Sequence, residues 1–121
     1  MDIEIRLTIL KDAGQLSLDH YKQVRKVIDY LEATHNIPVT EENGSMFITH
    51  LCSVLARITK QEEITPLDVL VFDALKEEPI YETAYITYQG IKDIIPDLPH
   101  YEEGYIISHL MAMMNSIEEE K

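Results

Sequence analysis

The sequence predicts an all-α fold, a compact bundle of about five to six helices. Two observations carry this prediction. Apolar residues recur every three to four positions in several segments, and capping residues, prolines or glycines separate those segments. The chain has 121 residues, 45% of them hydrophobic, which is enough to bury a core. We therefore expect a single helical domain over residues 1–121, with residues 1–16 as an N-terminal extension.

Three helices are predicted in the first half of the chain. The apolar spacing of residues 1–13 fits a short helix that ends at Gly14, although alternating isoleucine and leucine also fit a strand. Ser17 can cap a second helix that runs to about His35, and Thr40 can cap a third. The apolar stripe of the second helix is formed by Leu18, Tyr21, Val24, Ile28 and Leu31.

Three further helices are predicted in the second half. Thr65 and Pro66 have the pattern of an N-cap followed by a first helical residue, so a fourth helix is expected from Pro66 to about Lys76. A fifth helix is expected over residues 80–95, and the last one starts near His100. The residues of the fourth helix expected to face inward are Leu67, Leu70, Val71, Ala74 and Leu75.

The charge of the chain restricts its partners. There are 22 acidic and 10 basic residues, which give a net charge of −12. Direct binding to nucleic acid or to an anionic membrane surface is not expected, because both need a basic patch. The acidic surface suits solubility or contact with a basic patch on another protein. The start of the chain lacks the pattern of a signal peptide and no apolar run could span a bilayer, so we expect a cytoplasmic protein.

Familiar catalytic and metal-binding motifs are missing from the sequence. There is no phosphate-binding glycine loop, no metalloprotease histidine pair and no zinc-finger spacing. Cys52 is the one cysteine, and its place on an apolar helix face predicts a small buried hydrophobe. We therefore expect no catalytic residue, metal or cofactor. A metal-dependent enzyme that uses His50, His109 and nearby acids is a minor alternative.

Two predicted helices each carry one histidine at the edge of an apolar stripe. His50 lies about 100° from the central Leu51 on the helical wheel, and His109 lies about 100° from Leu110. Arg57 comes two turns after the first histidine, and Glu102 two turns before the second. The two stripes consist of Phe47, Leu51, Val54 and Ile58, and of Ile106, Leu110, Met113 and Ile117.

The neighbours of the two histidines indicate a possible chemistry. A cation near one imidazole could stabilise an added phosphoryl group through charge-assisted hydrogen bonds. A carboxylate near the other could orient its ring and raise its basicity. A hydrogen-bonded structural histidine remains the competing interpretation from the pattern alone.

The two histidine segments resemble those of the PTS regulation domain, or PRD, a helical module that regulates bacterial carbohydrate operons. The resemblance covers about residues 18–117. Members have a first histidine in a stretch like HlxxalxR and a second in a stretch like EigYlxxHl. The middle segment ALKEEPIYETAYITYQGIKDI also resembles the PRD pattern. The matching residues are His50, Leu51 and Arg57, and Glu102, Gly104, Tyr105, His109 and Leu110.

This resemblance implies a regulator of the transcriptional antiterminator type. PRDs are bundles of about five helices that usually dimerise, and their histidines are phosphorylated by HPr or by IIB components of the phosphotransferase system. By position, His50 and His109 are the acceptor candidates, and Arg57, Glu102 and Tyr105 are the candidates for supporting a phosphoryl group or a histidine.

The arrangement of the chain differs from that of most members. They carry two PRDs behind a nucleic-acid-binding domain, whereas this chain resembles the small stand-alone PRD proteins. The resemblance therefore implies a homodimer that acts on an unknown protein effector through protein contacts. The alternative is a purely structural interaction domain whose core histidines are not phosphorylated.

Overall fold

A computed structural model describes residues 2–119 of the chain. Along these residues lie six α-helices, one 3-10 turn and no strand, which confirms the all-α bundle. None of the helices in this part of the chain has both the length and the apolar character that a membrane span needs. The helices are α1 (Ile3–Asp12), α2 (Leu18–His35), α3 (Glu41–Lys60), α4 (Val69–Lys76), α5 (Tyr81–Ile94) and α6 (Glu103–Glu119), with the 3-10 turn His100–Glu102 directly before α6.

Side-chain caps determine where the first three helices begin. Asp2, Ser17 and Thr40 each accept a hydrogen bond from the backbone N–H three positions further on, at 2.8, 3.1 and 3.2 Å. The caps at Ser17 and Thr40 were predicted. Gly14 follows α1 with a φ of 77°, and Asn36 ends α2 with a φ of 55°. Both residue types tolerate this left-handed conformation, so they stop the helices there.

The core lies between α6 and the helices around it. α6 packs between α3 and α5, α5 also packs on α2, and α1 packs on α2 and α3. The apolar stripes predicted for the two histidine helices are confirmed. The buried members of these stripes are Phe47, Leu51, Val54, Ile106, Leu110 and Met113.

The predicted stripe of α2 is wrong at its first residue. Leu18 is 55% exposed, whereas Leu16, one residue before the cap, is buried. Tyr21 packs partly against the core at the fourth helical position. An apolar residue before the N-cap and one at the fourth helical position form the pattern known as a hydrophobic staple. Leu16 therefore fills the place in the core that was expected for Leu18.

The N-terminal segment forms part of the bundle. Residues 1–16 were expected as an extension, and the helix alternative for residues 1–13 is confirmed within the described part. Ile3 and Leu7 are buried and join the same apolar cluster as the other helices, while Met1 lies outside the described residues. The packing of α1 brings its polar side chains next to α3.

The fourth helix begins later than predicted, and of the residues expected to face inward only Leu75 packs against the core. Asp68, rather than Thr65, is the N-cap, and its carboxylate accepts a hydrogen bond from the backbone N–H of Leu70 at 2.9 Å. Phe72 and Leu75 pack against the core, one turn apart. Leu70 is 80% exposed because it lies about 160° from Phe72 on the helical wheel. A helix of eight residues can turn only one narrow face toward the core, and the large ring of Phe72 lies on that face.

Candidate functional site

The seam between α3 and α6 brings together four of the residues selected from the sequence. His50 and Arg57 are seven positions apart on α3, and Glu102 and His109 are seven positions apart at the start of α6 and within it. The two helices run antiparallel, so His50 faces His109 and Arg57 faces Glu102. We call these two pairs the histidine end and the ion-pair end of the α3–α6 seam.

At the ion-pair end, Arg57 and Glu102 bind each other in a bidentate arrangement. Nε of Arg57 donates to Oε2 of Glu102 at 2.9 Å, and Nη2 donates to Oε1 at 3.0 Å. The carboxylate is only 1% exposed and the guanidinium 23%. This hydrogen bonding raises the pKa of Arg57. Charge-assisted pairs of this kind are strong and directional, so the pair fixes α3 against the start of α6.

The partners expected for the two histidines differ from those in the structure. Arg57 was expected to face a phosphoryl group at His50, and Glu102 was expected to orient His109. In the structure the guanidinium of Arg57 is bound to Glu102, and the backbone of Arg57 lies about 10 Å from that of His50 along the helix axis. The four residues therefore pair across the seam rather than along each helix.

At the histidine end, the two imidazole rings stack on each other. Their centroids are 4.1 Å apart and their planes differ by 20°. Both residues are half-buried and line one open depression of about 410 Å³. The other residues that line it are Arg6, Ser45, Met46 and Thr49.

The environment of the stack keeps both rings neutral near pH 7. Burial, with smaller contributions from His109 and Arg57, lowers the pKa of His50 to about 4. Burial also lowers the pKa of His109. A neutral imidazole keeps a nitrogen lone pair, which is the group that attacks an electrophilic phosphorus. The histidine end therefore holds two potential nucleophiles in their reactive protonation state.

One nitrogen of the stack has no hydrogen-bond partner. Nε2 of His50 is buried, and no atom among residues 2–119 bonds to it. A buried polar atom without a partner costs roughly 1–3 kcal/mol relative to water. Native proteins keep few such atoms, and they call for an explanation beyond packing.

Tyr105 and Gly104 support a different part of the molecule. The hydroxyl of Tyr105 donates to the carbonyl oxygen of Thr65 at 3.0 Å, in the connection between α3 and α4. A Cβ on Gly104 would lie 2.9 Å from Cβ of Leu67, so glycine allows this connection to cross the start of α6 closely. These two motif residues contact the α3–α4 connection, and neither of them lines the depression at the histidine end.

Arg6 is the residue at the histidine end that the sequence analysis missed. Its Nε donates to Oε2 of Glu41 at 3.4 Å and its Nη2 bonds to Oε1, which links α1 to the first turn of α3. The position of Met46, one turn before His50, could have been read from helical spacing. Nothing in the local pattern of α1 indicates that Arg6 reaches the same depression, because this depends on how the helices pack.

The remaining candidate groups lie elsewhere. Cys52 is buried as predicted, and burial raises the pKa of its thiol to about 11. His35 bonds through Nε2 to the hydroxyl of Tyr30 at 2.8 Å. Across the described residues, no group of three or more histidine, cysteine, aspartate or glutamate side chains is arranged to hold a metal ion.

Comparison with known proteins identifies one relative along nearly the whole chain. No protein-family model and no solved structure matches this chain. The chain is 31% identical over 119 residues to the uncharacterized protein YhfY of Escherichia coli (strain K12), across 98% of this chain and 99% of that protein. The chain belongs to the YhfY family. Because the match covers nearly the whole chain, α3 and α6 lie within the region shared with YhfY.

Proposed function

We propose that this protein is a histidine-phosphorylatable regulatory module of the PRD type. It would act in bacterial carbohydrate gene control linked to the phosphotransferase system, through protein contacts rather than by binding nucleic acid. The observation that carries the proposal is the pair of neutral, stacked imidazoles of His50 and His109 in an open depression. The resemblance of both histidine segments to PRDs supports the same function.

The chemistry is a transfer between two imidazoles. With HPr as the donor, the phosphoryl group leaves a phosphohistidine. A nitrogen lone pair of His50 or His109 attacks the phosphorus, and a new N–P bond forms while the N–P bond of the donor breaks. The electron pair of the broken bond stays on the donor nitrogen, and the proton displaced from the acceptor ring balances it. The low pKa of His50 favours this step because the ring does not need to lose a proton first.

The added group would act as a switch because of its charge. A phosphoryl group brings about −1.5 to −2 charges to a chain that already carries −12. The N–P bond lies in the plane of the ring, so the group projects from the edge of the stack rather than between the rings. Nε2 of His50 is buried, so a phosphoryl group on this nitrogen requires the local packing to open. We propose that this change alters the contacts of a cytoplasmic homodimer with a protein effector.

Phosphorylation in a reconstituted system tests the proposal directly. The protein is incubated with phosphoenolpyruvate, enzyme I and HPr, and its intact mass is recorded before and after acid treatment. We expect an acid-labile gain of one phosphoryl group that disappears in the double variant His50→Gln/His109→Gln. His100→Gln, which changes an exposed histidine outside the histidine end, is the matched control and should keep the gain. No gain, or a gain that survives in the double variant, would contradict the proposal.

The oligomeric state tests the switch. Sedimentation of the phosphorylated and unphosphorylated forms should give dimer dissociation constants that differ about tenfold, equivalent to about 1.4 kcal/mol. Identical mass and affinity of the two forms would favour the purely structural interaction domain instead.

A further inference from the structure

Arg6 is the cation of the depression that contains both histidines. It comes from α1, while the histidines come from α3 and α6, so three helices meet at this place. Arg57 is bound to the buried carboxylate of Glu102 at the other end of the seam. A negatively charged group placed on either imidazole would therefore share its depression with Arg6.

The present partner of Arg6 can be exchanged. The side chains of Arg6 and Glu41 are each 31% exposed, and ion pairs that water reaches contribute little to stability. A phosphoryl group carries more negative charge than a carboxylate and, like a carboxylate, can accept two hydrogen bonds from one guanidinium. By contrast, the carboxylate of Glu102 is 1% exposed, so losing Arg57 would leave a buried charge unpaired.

We propose that Arg6 is the phosphoryl-binding residue of the histidine end, and that it leaves Glu41 to bind a phosphoryl group on His50 or His109. The hydroxyls of Ser45 and Thr49 line the same depression and supply further donors for the phosphoryl oxygens. This inference rests on the proposed function, because it needs a phosphorylated histidine. The structural consequence is that the ionic contact of Arg6 moves from Glu41, in the first turn of α3, to the histidine end of the α3–α6 seam.

The test uses a small phosphoryl donor, so that it does not depend on a protein donor. Potassium phosphoramidate transfers its phosphoryl group to the histidines, and ³¹P NMR follows the protonation of the phosphohistidine as the pH changes. A guanidinium bound to the phosphoryl group lowers its titration midpoint, by about one pH unit for a close opposite charge. We therefore expect Arg6→Gln to raise the midpoint by about one unit, and Arg6→Lys to raise it by less.

Two control variants separate binding from the loss of an ion pair. Glu41→Gln breaks the same contact between α1 and α3 but leaves Arg6 free, so the midpoint should fall or stay unchanged. Arg25→Gln removes another arginine that bonds to α1, through Glu4, and should titrate like the wild type. Circular dichroism of each variant establishes that the helices are retained.

The outcomes distinguish this inference from the proposed function. If Arg6→Gln and the wild type titrate alike, or if Glu41→Gln raises the midpoint as Arg6→Gln does, Arg6 is not the phosphoryl-binding residue. If the Arg6 effect is seen but HPr and IIB components transfer nothing, the inference stands and the proposed donor chemistry fails. If neither phosphoramidate nor HPr and IIB components modify either histidine, both are overturned.

Discussion

At the ion-pair end of the α3–α6 seam, Arg57 and Glu102 satisfy each other through two hydrogen bonds. At the histidine end, two turns away, Nε2 of His50 is buried without one. The same two helices thus hold a charged pair whose hydrogen bonds are made and a neutral pair in which one buried nitrogen lacks a hydrogen bond. One seam therefore combines an ion pair that keeps the helices in register with a buried imidazole nitrogen that has no hydrogen bond.

The largest effect is expected when the ion-pair end is broken. Arg57→Ala leaves the buried carboxylate of Glu102 without its partner, so we expect the free energy of unfolding to fall by about 3–5 kcal/mol. Urea denaturation followed by circular dichroism measures this change. Lys76→Ala is the control, because Lys76 lies 3.7 Å from Asp73 in an exposed pair and its loss should cost less than about 0.5 kcal/mol. Equal losses in both variants would contradict the contrast between buried and exposed pairs.

Acid is expected to weaken the histidine end selectively. The pKa of His50 is about 4 in the folded protein and 6.5 as the ordinary value, so the unfolded chain binds more protons between these values. Stability should therefore fall as the pH drops from about 6.5 to about 4, and this loss is absent above pH 6.5. We expect about 1–2 kcal/mol, because water partly reaches the ring and screens the penalty.

The measurement compares two chains, because many carboxylates titrate in the same range. Urea midpoints of the wild type and of His50→Gln are recorded from pH 4 to pH 8, and the difference between them isolates the histidine. A difference that does not change with pH would show that His50 titrates alike in the folded and unfolded states.

A smaller effect is expected from an apolar replacement at the histidine end. His50→Leu keeps a side chain of similar size and removes the buried Nε2 that has no partner. Stability should stay within about 1 kcal/mol of the wild type or rise, because removing an unsatisfied buried group relieves its desolvation cost. Thermal denaturation at pH 7.5 measures it. A loss of more than about 2 kcal/mol would mean that His50 makes a stabilising interaction in solution.

The smallest effect is expected at the connection between α3 and α4. Tyr105→Phe removes the hydroxyl that donates to Thr65 on the exposed surface, so the global loss should be about 0.5 kcal/mol. Amide hydrogen exchange should show faster opening of residues 61–68 and unchanged protection in α3 and α6. Faster exchange along the whole seam would instead place Tyr105 among the residues that support the histidines.

Helical spacing was enough to predict which faces of α3 and α6 are buried, because long apolar stripes such as Phe47–Leu51–Val54 have one stable orientation. It could not predict how the two helices run past each other. Because the two helices run antiparallel, Arg57 binds Glu102 across the seam instead of facing His50 on its own helix, as was expected. Arg6 was missed for the same reason, since its place in the depression comes from the packing of α1 on α3.

The short fourth helix shows a second limit. Its eight residues are nearly all apolar, so the pattern contains little information about which side faces the core. Thr65 was predicted as the N-cap but Asp68 caps the helix, and residue type alone does not separate them because both types cap helices well. The packing of Phe72 settled the orientation, and this depends on neighbouring helices rather than on the local sequence.

The face-to-face arrangement of the two imidazoles also gives the protein an internal spectroscopic probe. Each ring lies in the magnetic shielding cone of the other at a centroid distance of 4.1 Å, so the ring protons of both histidines should resonate upfield of their free values. Any event that separates the rings, whether a partner, a ligand or a modification, would return these signals toward the free positions. The state of the seam can thus be followed in a crowded mixture without attaching a label.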